Sequence, residues 1–239
     1  MSSVDRRQFV GAMGVGAASL LAAGGAVFGQ AVEAPREAAQ HQVKPLQYPA
    51  DSVTGVSQEV ISWHHGTHYA GYVSKRNAIE DQLARLGPGT ESFDSRVYAG
   101  IKRDEAFNAS GVVLHEVYFD NLGGDGVPGE GIVEAAIAAF FGSVEQWEAD
   151  MRAVAGAATG WALLCHDPSD RRLHNYLVDQ HQLGAIWGAA PIVALDVFEH
   201  AYYRDFGPDR AAYMNVFFRN LHWGRIDRRY REALGLPTG

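Results

Sequence analysis

The first residues with the types and spacing for chemistry are the histidines of WHHGTHYAGYV, residues 63–73. A helix there would place His64 and His68 four residues apart on one face, with Tyr72 one turn further along. Such a face can bind a metal ion, while His65 would point elsewhere. Histidine pairs at this spacing also occur on ordinary helices in surface or core roles, so the pair alone does not decide the chemistry.

Two further segments carry possible metal ligands. His115 lies in the apolar helical stretch VVLHEVYF, where a hydrogen-bonded core histidine is the simpler interpretation. Asp196 and His200 lie four residues apart in DVFEHAYYRDF, after an apolar strand pattern, so a strand end and a following turn could aim both at one point. Aspartate and histidine are harder donors than thiolate and suit iron or manganese as well as zinc.

The elements that must position these residues begin with two long helical patterns, over roughly 55–86 and 91–121. The sequence LGPG interrupts the pattern between them, so we expect an antiparallel hairpin. The glycine-rich GGDGVPGEG of residues 123–131 ends the second helix and indicates a boundary between two parts of the chain.

After this boundary the sequence contains shorter helical patterns followed by strand patterns. Two helical patterns lie within 132–158, and Ser143 is a candidate N-cap of the second. WALLCH (161–166) and LHNYLV (173–178) flank the turn sequence DPSD and predict a β-hairpin, to which PIVALDVF (191–198) can add a third strand.

These patterns predict an α+β fold. An N-terminal antiparallel helical hairpin is followed by an α/β domain with a small three-stranded antiparallel sheet flanked by helices. The predicted parts are an export signal, an extended arm, a helical hairpin domain and a C-terminal α+β domain, over residues 1–31, 32–53, 54–124 and 125–239.

The composition excludes several kinds of protein. With 239 residues, 47% hydrophobic and 20% charged, the chain has a globular composition. Its formal net charge of -8 and the lack of a basic run argue against a nucleic-acid partner. Cys165 is the only cysteine, which excludes an intramolecular disulfide and cysteine-rich zinc or iron–sulfur clusters. Any metal must therefore be bound by histidine and carboxylate.

The N-terminus has the pattern of an export signal. An arginine pair at residues 6–7 precedes a small and apolar run over 9–29, which is too rich in Gly and Ala for a stable membrane anchor. The segment DRRQFV resembles the twin-arginine signal, and we expect cleavage after Ala31, with Ala34 as a second candidate. The expected location is periplasmic or secreted; a disordered or membrane-anchored N-terminus is the alternative.

From about Tyr48 to its C-terminus, the chain resembles the iron/manganese superoxide dismutases. The segments that carry the resemblance occur in the family's order and separations: HHGTHYAGYV, FNASGVVLH, FFGSVEQWEADM, GWALL, DVFEHAYYRDF and NLHWGRIDRRY. The resemblance implies that one manganese or iron ion per chain cycles between +2 and +3 and converts superoxide to dioxygen and hydrogen peroxide. The family pattern H…H…D-x-x-x-H implies these ligands: His64, His115, Asp196 and His200.

The resemblance also implies roles for residues around the metal. Tyr72 corresponds to a gateway tyrosine, and His68 to a histidine that lines the substrate funnel. Gln180 stands where many manganese enzymes have a glutamine that bonds metal-bound solvent, with His181 as the alternative. Gly111 stands where many iron enzymes carry that glutamine instead, which favours manganese.

Two residues imply an assembly. Glu199 and Tyr202 correspond to residues that cross a two-fold interface in this family. The glutamate would bond the ligand histidine of a second chain, and the tyrosine its funnel histidine. We therefore expect a homodimer, or a dimer of dimers, with shared active sites.

Some positions depart from the family pattern. Phe119, Leu163 and Phe198 stand where tryptophan is frequent, and Tyr69 replaces a common second histidine. These losses motivate a rival hypothesis, a non-catalytic exported iron- or manganese-binding protein of the same fold. A zinc hydrolase is a second rival, but the H-x-x-x-H segment lacks the glutamate of H-E-x-x-H peptidases.

Overall fold

The computed structural model of the chain describes residues 40–238. The expected export signal, residues 1–31, and the first part of the expected arm, 32–39, lie outside the described residues. Within the described range, no helix is both long and apolar enough to cross a membrane.

The described part of the arm, residues 40–53, runs through turns and extended backbone, and the first described helix begins only at Gln58. His41 attaches its beginning to the helical hairpin, because the amide of His41 donates to Asn77 Oδ1 at 2.8 Å and its carbonyl accepts from Asn77 Nδ2 at 2.9 Å. The arm is thereby held beside the helices that follow it.

The two long helical patterns form the predicted hairpin. Its elements are α1, a π-helical segment, α2 and α3, over Gln58–Trp63, His64–Tyr69, Ala70–Leu86 and Ser95–Asn121. The helices begin three and four residues after their predicted starts, because side chains just before them cap their first turns. The Ser57 side chain accepts from the Val60 amide, and Asp94 accepts from the amides of Arg96 and Val97.

The π-helical segment is a feature that the sequence pattern did not predict. The amide of Ala70 donates to the carbonyl of His65, five residues back, where an α-helix would use the residue four back. The wider turn changes the directions of the side chains within His64–Tyr69 relative to an α-helix.

Two helices follow the glycine-rich boundary, as predicted. They are α4 (Ile132–Phe141) and α5 (Val144–Ala157). Gly142 separates them with a φ of 93°, which a residue with a side chain rarely adopts. Ser143 caps α5, since its side chain accepts from the amide of Gln146 at 3.2 Å, and this confirms the predicted N-cap.

The sheet has three antiparallel strands in the order β2-β1-β3, which are Arg172–Val178, Trp161–Asp167 and Ala190–Asp196. The central strand β1 is buried along its whole length. The third strand ends at Asp196, two residues before its predicted end. This early end frees the residues after Asp196 to form a turn.

The chain closes with short helices around the sheet. A 3₁₀ turn, α6, α7 and α8 cover Glu199–Ala201, Tyr203–Phe206, Arg210–Arg219 and Trp223–Ala233. The hairpin meets the sheet through α3 and β3, where Asn121 Nδ2 donates to the carbonyl of Ala194 at 3.1 Å. The described hairpin and sheet therefore share one core, and the candidate site lies where they meet.

Candidate metal centre

Four side chains from four separate elements meet at the junction of hairpin and sheet. His64 is the first residue of the π-helical segment, and His115 lies in α3. Asp196 is the last residue of β3, and His200 lies in the 3₁₀ turn. One donor atom from each lies within 4.8 Å of all the others. The structure thus brings together all four residues that the family pattern implied.

The imidazoles converge on one carboxylate oxygen. His64 Nε2 and His200 Nε2 each lie 3.1 Å from Asp196 Oδ2, and His115 Nε2 lies 3.8 Å from it. His64, His115 and Asp196 are at most 1% exposed. The other oxygen of Asp196 accepts from the amide of Phe198 at 2.9 Å, which fixes the carboxylate plane.

The histidines are in the state that binds metal. His115 Nδ1 must donate to the carbonyl of Gly111 at 2.7 Å, which leaves the lone pair on Nε2, a buried atom without a hydrogen-bond partner. Burial lowers the pKa of His115 well below its ordinary value and that of His64 to about 4. Both rings are neutral near pH 7.

Asp196 supplies the negative charge of the cluster. Burial alone would raise the pKa of Asp196, but the charges and hydrogen bonds of His200 and His64 lower it far below its ordinary value. The same carboxylate raises the pKa of His200 against the effect of burial. Three imidazoles and one ionised carboxylate, aimed at one point and buried except for the partly buried His200, fit a manganese or iron ion.

The mouth of the cluster is formed by side chains of the hairpin. The His68 ring stacks on His200 at a centroid distance of 4.1 Å, and the Tyr72 ring lies 5.1 Å from that of His115. His68 and Tyr72 are half-buried, so they reach both the cluster and the surface. Burial raises the pKa of the Tyr72 hydroxyl, which stays protonated near pH 7.

The first choice for the solvent-bonding residue, Gln180, is not at the cluster. Gln180 is exposed and lies in an isolated β-bridge with Leu183, whereas the next residue, His181, is 5% exposed and packs 4.7 Å from the Tyr72 ring. The amide of Leu183 donates to the carbonyl of Gln180 at 3.2 Å and closes a turn, within which the His181 side chain is buried and that of Gln180 is exposed. The alternative residue, His181, occupies the position.

Trp161 at the start of β1 is a site residue that the sequence reasoning missed. Its indole N–H donates to His181 Nδ1 at 3.0 Å, so the proton of neutral His181 is on Nε2, which has no partner in the described structure. Burial lowers the pKa of His181 to about 4. Trp161 lies in GWALL, one of the segments that carry the family resemblance, and this membership was the one signal that could have pointed to it.

Aromatic rings close the cluster on its other sides. Trp161 lies 5.1 Å from His115, Phe119 lies 5.0 Å from His64, and Phe198 stacks on His200 at 5.7 Å. Two of the positions that lack tryptophan thus still place a ring against a ligand. Leu163, the third, is buried within β1.

Gly111 leaves the space that the Tyr72 ring occupies. A Cβ at Gly111 would lie 2.9 Å from Tyr72 Cδ1, closer than carbon atoms approach one another in folded proteins. A glutamine at this position would require Tyr72 to move. The position of the Tyr72 ring therefore depends on the absence of a side chain at Gly111.

The two expected interface residues differ in exposure. Glu199 is exposed, but Tyr202 is 4% exposed within a single chain, stacks on Tyr213 and accepts a hydrogen bond from Arg210 Nε at 3.3 Å. The adjacent Tyr203 is 50% exposed. The role of Tyr202 at an interface between two chains stays a prediction.

Comparison with known proteins agrees with the geometry. The model of the alpha-hairpin domain of iron/manganese superoxide dismutases matches residues 40–123, and the model of their C-terminal domain matches residues 129–229. Superoxide dismutase [Mn] 2 of Haloferax volcanii is 42% identical over 200 residues, which are 82% of this chain and 98% of the relative.

Relatives named for either metal are similar to the chain. Superoxide dismutase [Mn] 2 of Halobacterium salinarum is 41% identical over 82% of this chain and 98% of its own length. Superoxide dismutase [Fe] of Cupriavidus metallidurans is 38% identical over 81% of this chain and 98% of its own length. The matches cover both the hairpin and the sheet.

Proposed function

The chain belongs to the iron/manganese superoxide dismutase family, and we propose that it disproportionates superoxide with one manganese or iron ion bound at the junction of hairpin and sheet. The observation that carries the proposal is the convergence of three histidines and one aspartate within 4.8 Å, with His64, His115 and Asp196 buried and His200 partly buried. This donor set suits a redox-active ion that alternates between +2 and +3 when bound, which zinc cannot do.

The residues of the site hold the ion and control what reaches it. His64, His115, Asp196 and His200 would bind it, and their burial restricts the approach of bulk water. Two superoxide anions and two protons give one dioxygen and one hydrogen peroxide, so the protein must deliver protons as well as bind the anion. A bound cation would attract the anion despite the acidic chain.

Proton delivery falls to Tyr72, His68 and His181. Tyr72 keeps its hydroxyl proton near pH 7 and lies at the mouth, next to His68. His181 carries its proton on Nε2 because Trp161 donates to its Nδ1. We infer that His181 takes the solvent-bonding role expected of Gln180, and that Tyr72 and His68 pass protons inward from the surface.

Manganese remains our preferred metal. Gly111 leaves no room for the glutamine that many iron enzymes have at this position, because even a Cβ there would meet the Tyr72 ring. With His181 in place of Gln180, the second sequence argument for manganese is lost. Two relatives above 40% identity are named as manganese enzymes, which favours the same choice.

The rival hypothesis of a non-catalytic metal-binding protein rested on the missing tryptophans. Aromatic side chains nevertheless enclose the cluster, with Trp161 against His115 and His181. The relatives described above carry the name superoxide dismutase, and none of them favours this rival.

The decisive test measures metal content and superoxide decay on the same purified sample. We expect about one manganese or iron ion per chain and rapid decay, and loss of both in His115→Ala and Asp196→Ala. Asp150→Ala, which removes an exposed carboxylate of α5, serves as the matched control and should retain both. Full activity in metal-loaded His115→Ala protein would contradict the assignment of the site.

We propose a homodimer or a dimer of dimers in which Glu199 and Tyr203 face a second chain. Support comes from the exposure of Glu199 and Tyr203 beside the metal-binding turn. Native mass spectrometry of the wild type and of Glu199→Ala tests this, and the proposal predicts two or four chains for the wild type and dissociation in the variant.

We also propose that the protein is exported to the periplasm or secreted. Support comes from the arginine pair at residues 6–7 and the small, apolar run over 9–29. Replacing both arginines with lysine and fractionating the cells tests the route: retention of the uncleaved variant inside the cell is the expected result. Equal export of both proteins would contradict it.

A further inference from the structure

Lys44 of the arm contacts both helices of the hairpin that carry candidate ligands. Its amide N–H donates to Tyr69 Oη at 2.9 Å, and its carbonyl accepts from His65 Nε2 at 2.8 Å. Its ammonium group lies 2.5 Å from Glu116 Oε2 on α3. One residue of the arm therefore bonds to the π-helical segment twice and to α3 once.

Tyr69 connects the same elements from the inside. Its hydroxyl donates to Glu116 Oε1 at 3.0 Å while it accepts from the Lys44 amide, and the side chain is 1% exposed. Tyr69 ends the π-helical segment that begins with His64, and Glu116 directly follows His115. The Glu116 carboxylate thus joins the arm and the π-helical segment to α3 beside a candidate ligand.

These contacts act on the π-helical segment, whose geometry differs from that of an ordinary α-helix. π-Helical turns are rare and usually occur as single turns, often at functional sites. Here the segment has hydrogen bonds from outside the helix, which Lys44 and Glu116 make with His65 and Tyr69. The His64 and His115 rings lie 5.1 Å apart, and these two residues come from the two elements that Tyr69 and Glu116 connect. A change in that connection would alter the separation of the two imidazoles.

We propose that Tyr69 is a positioning residue of the metal centre, whose hydrogen bonds to Glu116 and Lys44 fix the π-helical segment against α3 and so set the separation of His64 and His115. The inference rests on the proposed metal-binding function. It gives a role to one of the departures from the family pattern, since tyrosine stands here in place of a frequent histidine.

The test uses Tyr69→Phe in the full chain loaded with manganese. The variant keeps the ring and loses the hydroxyl, so the rate at which EDTA removes manganese should rise about tenfold, equivalent to roughly one hydrogen bond. The EPR spectrum of bound Mn(II) should change, because it reports the ligand geometry. Tyr48→Phe is the matched control: Tyr48 is also buried, but its hydroxyl has no hydrogen-bond partner among the described residues. Both readouts should match the wild type in this control.

A purely structural role would give a different result. A Tyr69→Phe protein with a lower melting temperature but wild-type metal release and EPR spectrum would overturn the inference. If Tyr69→Phe does not fold, Glu116→Ala decides, because it removes the acceptor of the Tyr69 hydroxyl together with the ion pair to Lys44. We expect a few-fold faster release from it, and an unchanged rate and spectrum would overturn the inference.

The two proposals fail in distinguishable ways. Wild-type protein that holds neither manganese nor iron would remove the proposed metal centre and this inference with it. Wild-type protein with one ion per chain, together with unchanged Tyr69 variants, would remove only the positioning role of Tyr69.

Discussion

Burial of neutral histidines is the main physical fact at the scale of single residues. His64, His115 and His181 are at most 5% exposed, and desolvation lowers the pKa of each. At pH 7 these rings are already deprotonated, so metal binding does not have to displace a proton from them. The same burial makes the metal-free protein sensitive to acid.

We predict that metal-free protein loses stability as the pH falls from 7 to 5. The pKa of His181 is about 4 in the folded chain against an ordinary value of 6.5, so between these values the unfolded chain binds the proton and the folded chain does not. For His181 alone the free energy of unfolding should fall by about 2 kcal/mol at pH 5. Urea unfolding at both pH values, with His181→Gln beside the wild type, measures this. An equal fall in both proteins would show that His181 is not responsible.

Removal of the Tyr72 hydroxyl should separate metal binding from turnover. In Tyr72→Phe the ring stays beside His115, so we expect one ion per chain and a turnover reduced roughly tenfold through slower proton delivery. Pulse radiolysis together with metal analysis provides the measurement. Tyr176→Phe, a partly exposed tyrosine of β2, is the control. Unchanged turnover in Tyr72→Phe would exclude the proposed proton route.

At the scale of elements, the close approach of α2 and α3 depends on Gly111. We predict that Gly111→Ala destabilises the protein by about 1–3 kcal/mol and lowers activity, because the new Cβ would lie 2.9 Å from Tyr72 Cδ1. Gly100→Ala in the same helix is the matched control, since a Cβ there meets nothing within 4 Å. It should stabilise the helix by about 0.5–1 kcal/mol. Thermal unfolding of both variants distinguishes the two effects, and equal shifts would contradict the packing argument.

At the scale of the whole molecule, the candidate site joins the two halves of the described fold. Two ligands come from the hairpin, His64 and His115, and two from the end of the sheet, Asp196 and His200. A bound ion therefore links segments that are 132 residues apart along the chain. Folding and metal binding are coupled through this arrangement.

We predict that removal of the metal lowers the melting temperature of the whole described domain in a single transition. An ion at a thousand times its dissociation constant contributes about 4 kcal/mol to stability. Calorimetry of metal-loaded and metal-free protein measures the difference, and His115→Ala should show none on addition of manganese. Two separate transitions in metal-free protein would indicate that the hairpin and the sheet unfold independently.

The sequence by itself determined the hairpin, the three strands, the Ser143 cap and the four residues that converge. Helices and strands could be predicted because they depend on the local spacing of apolar residues and on nearby caps and breakers, all of which can be read from the sequence. The convergence was implied by family segments, since single-residue spacing left a core role open for His115 and a surface role open for the His64–His68 pair.

Only the tertiary structure decided which neighbours face the site. It buries His181 and leaves Gln180 exposed, and it buries Tyr202 and leaves Tyr203 exposed, because adjacent side chains of a turn or an extended segment point in different directions. The π-helical segment and the Trp161–His181 hydrogen bond depend on contacts between elements distant in sequence. Such contacts carry no local signal in the sequence, so they exist only once the hairpin has packed against the sheet.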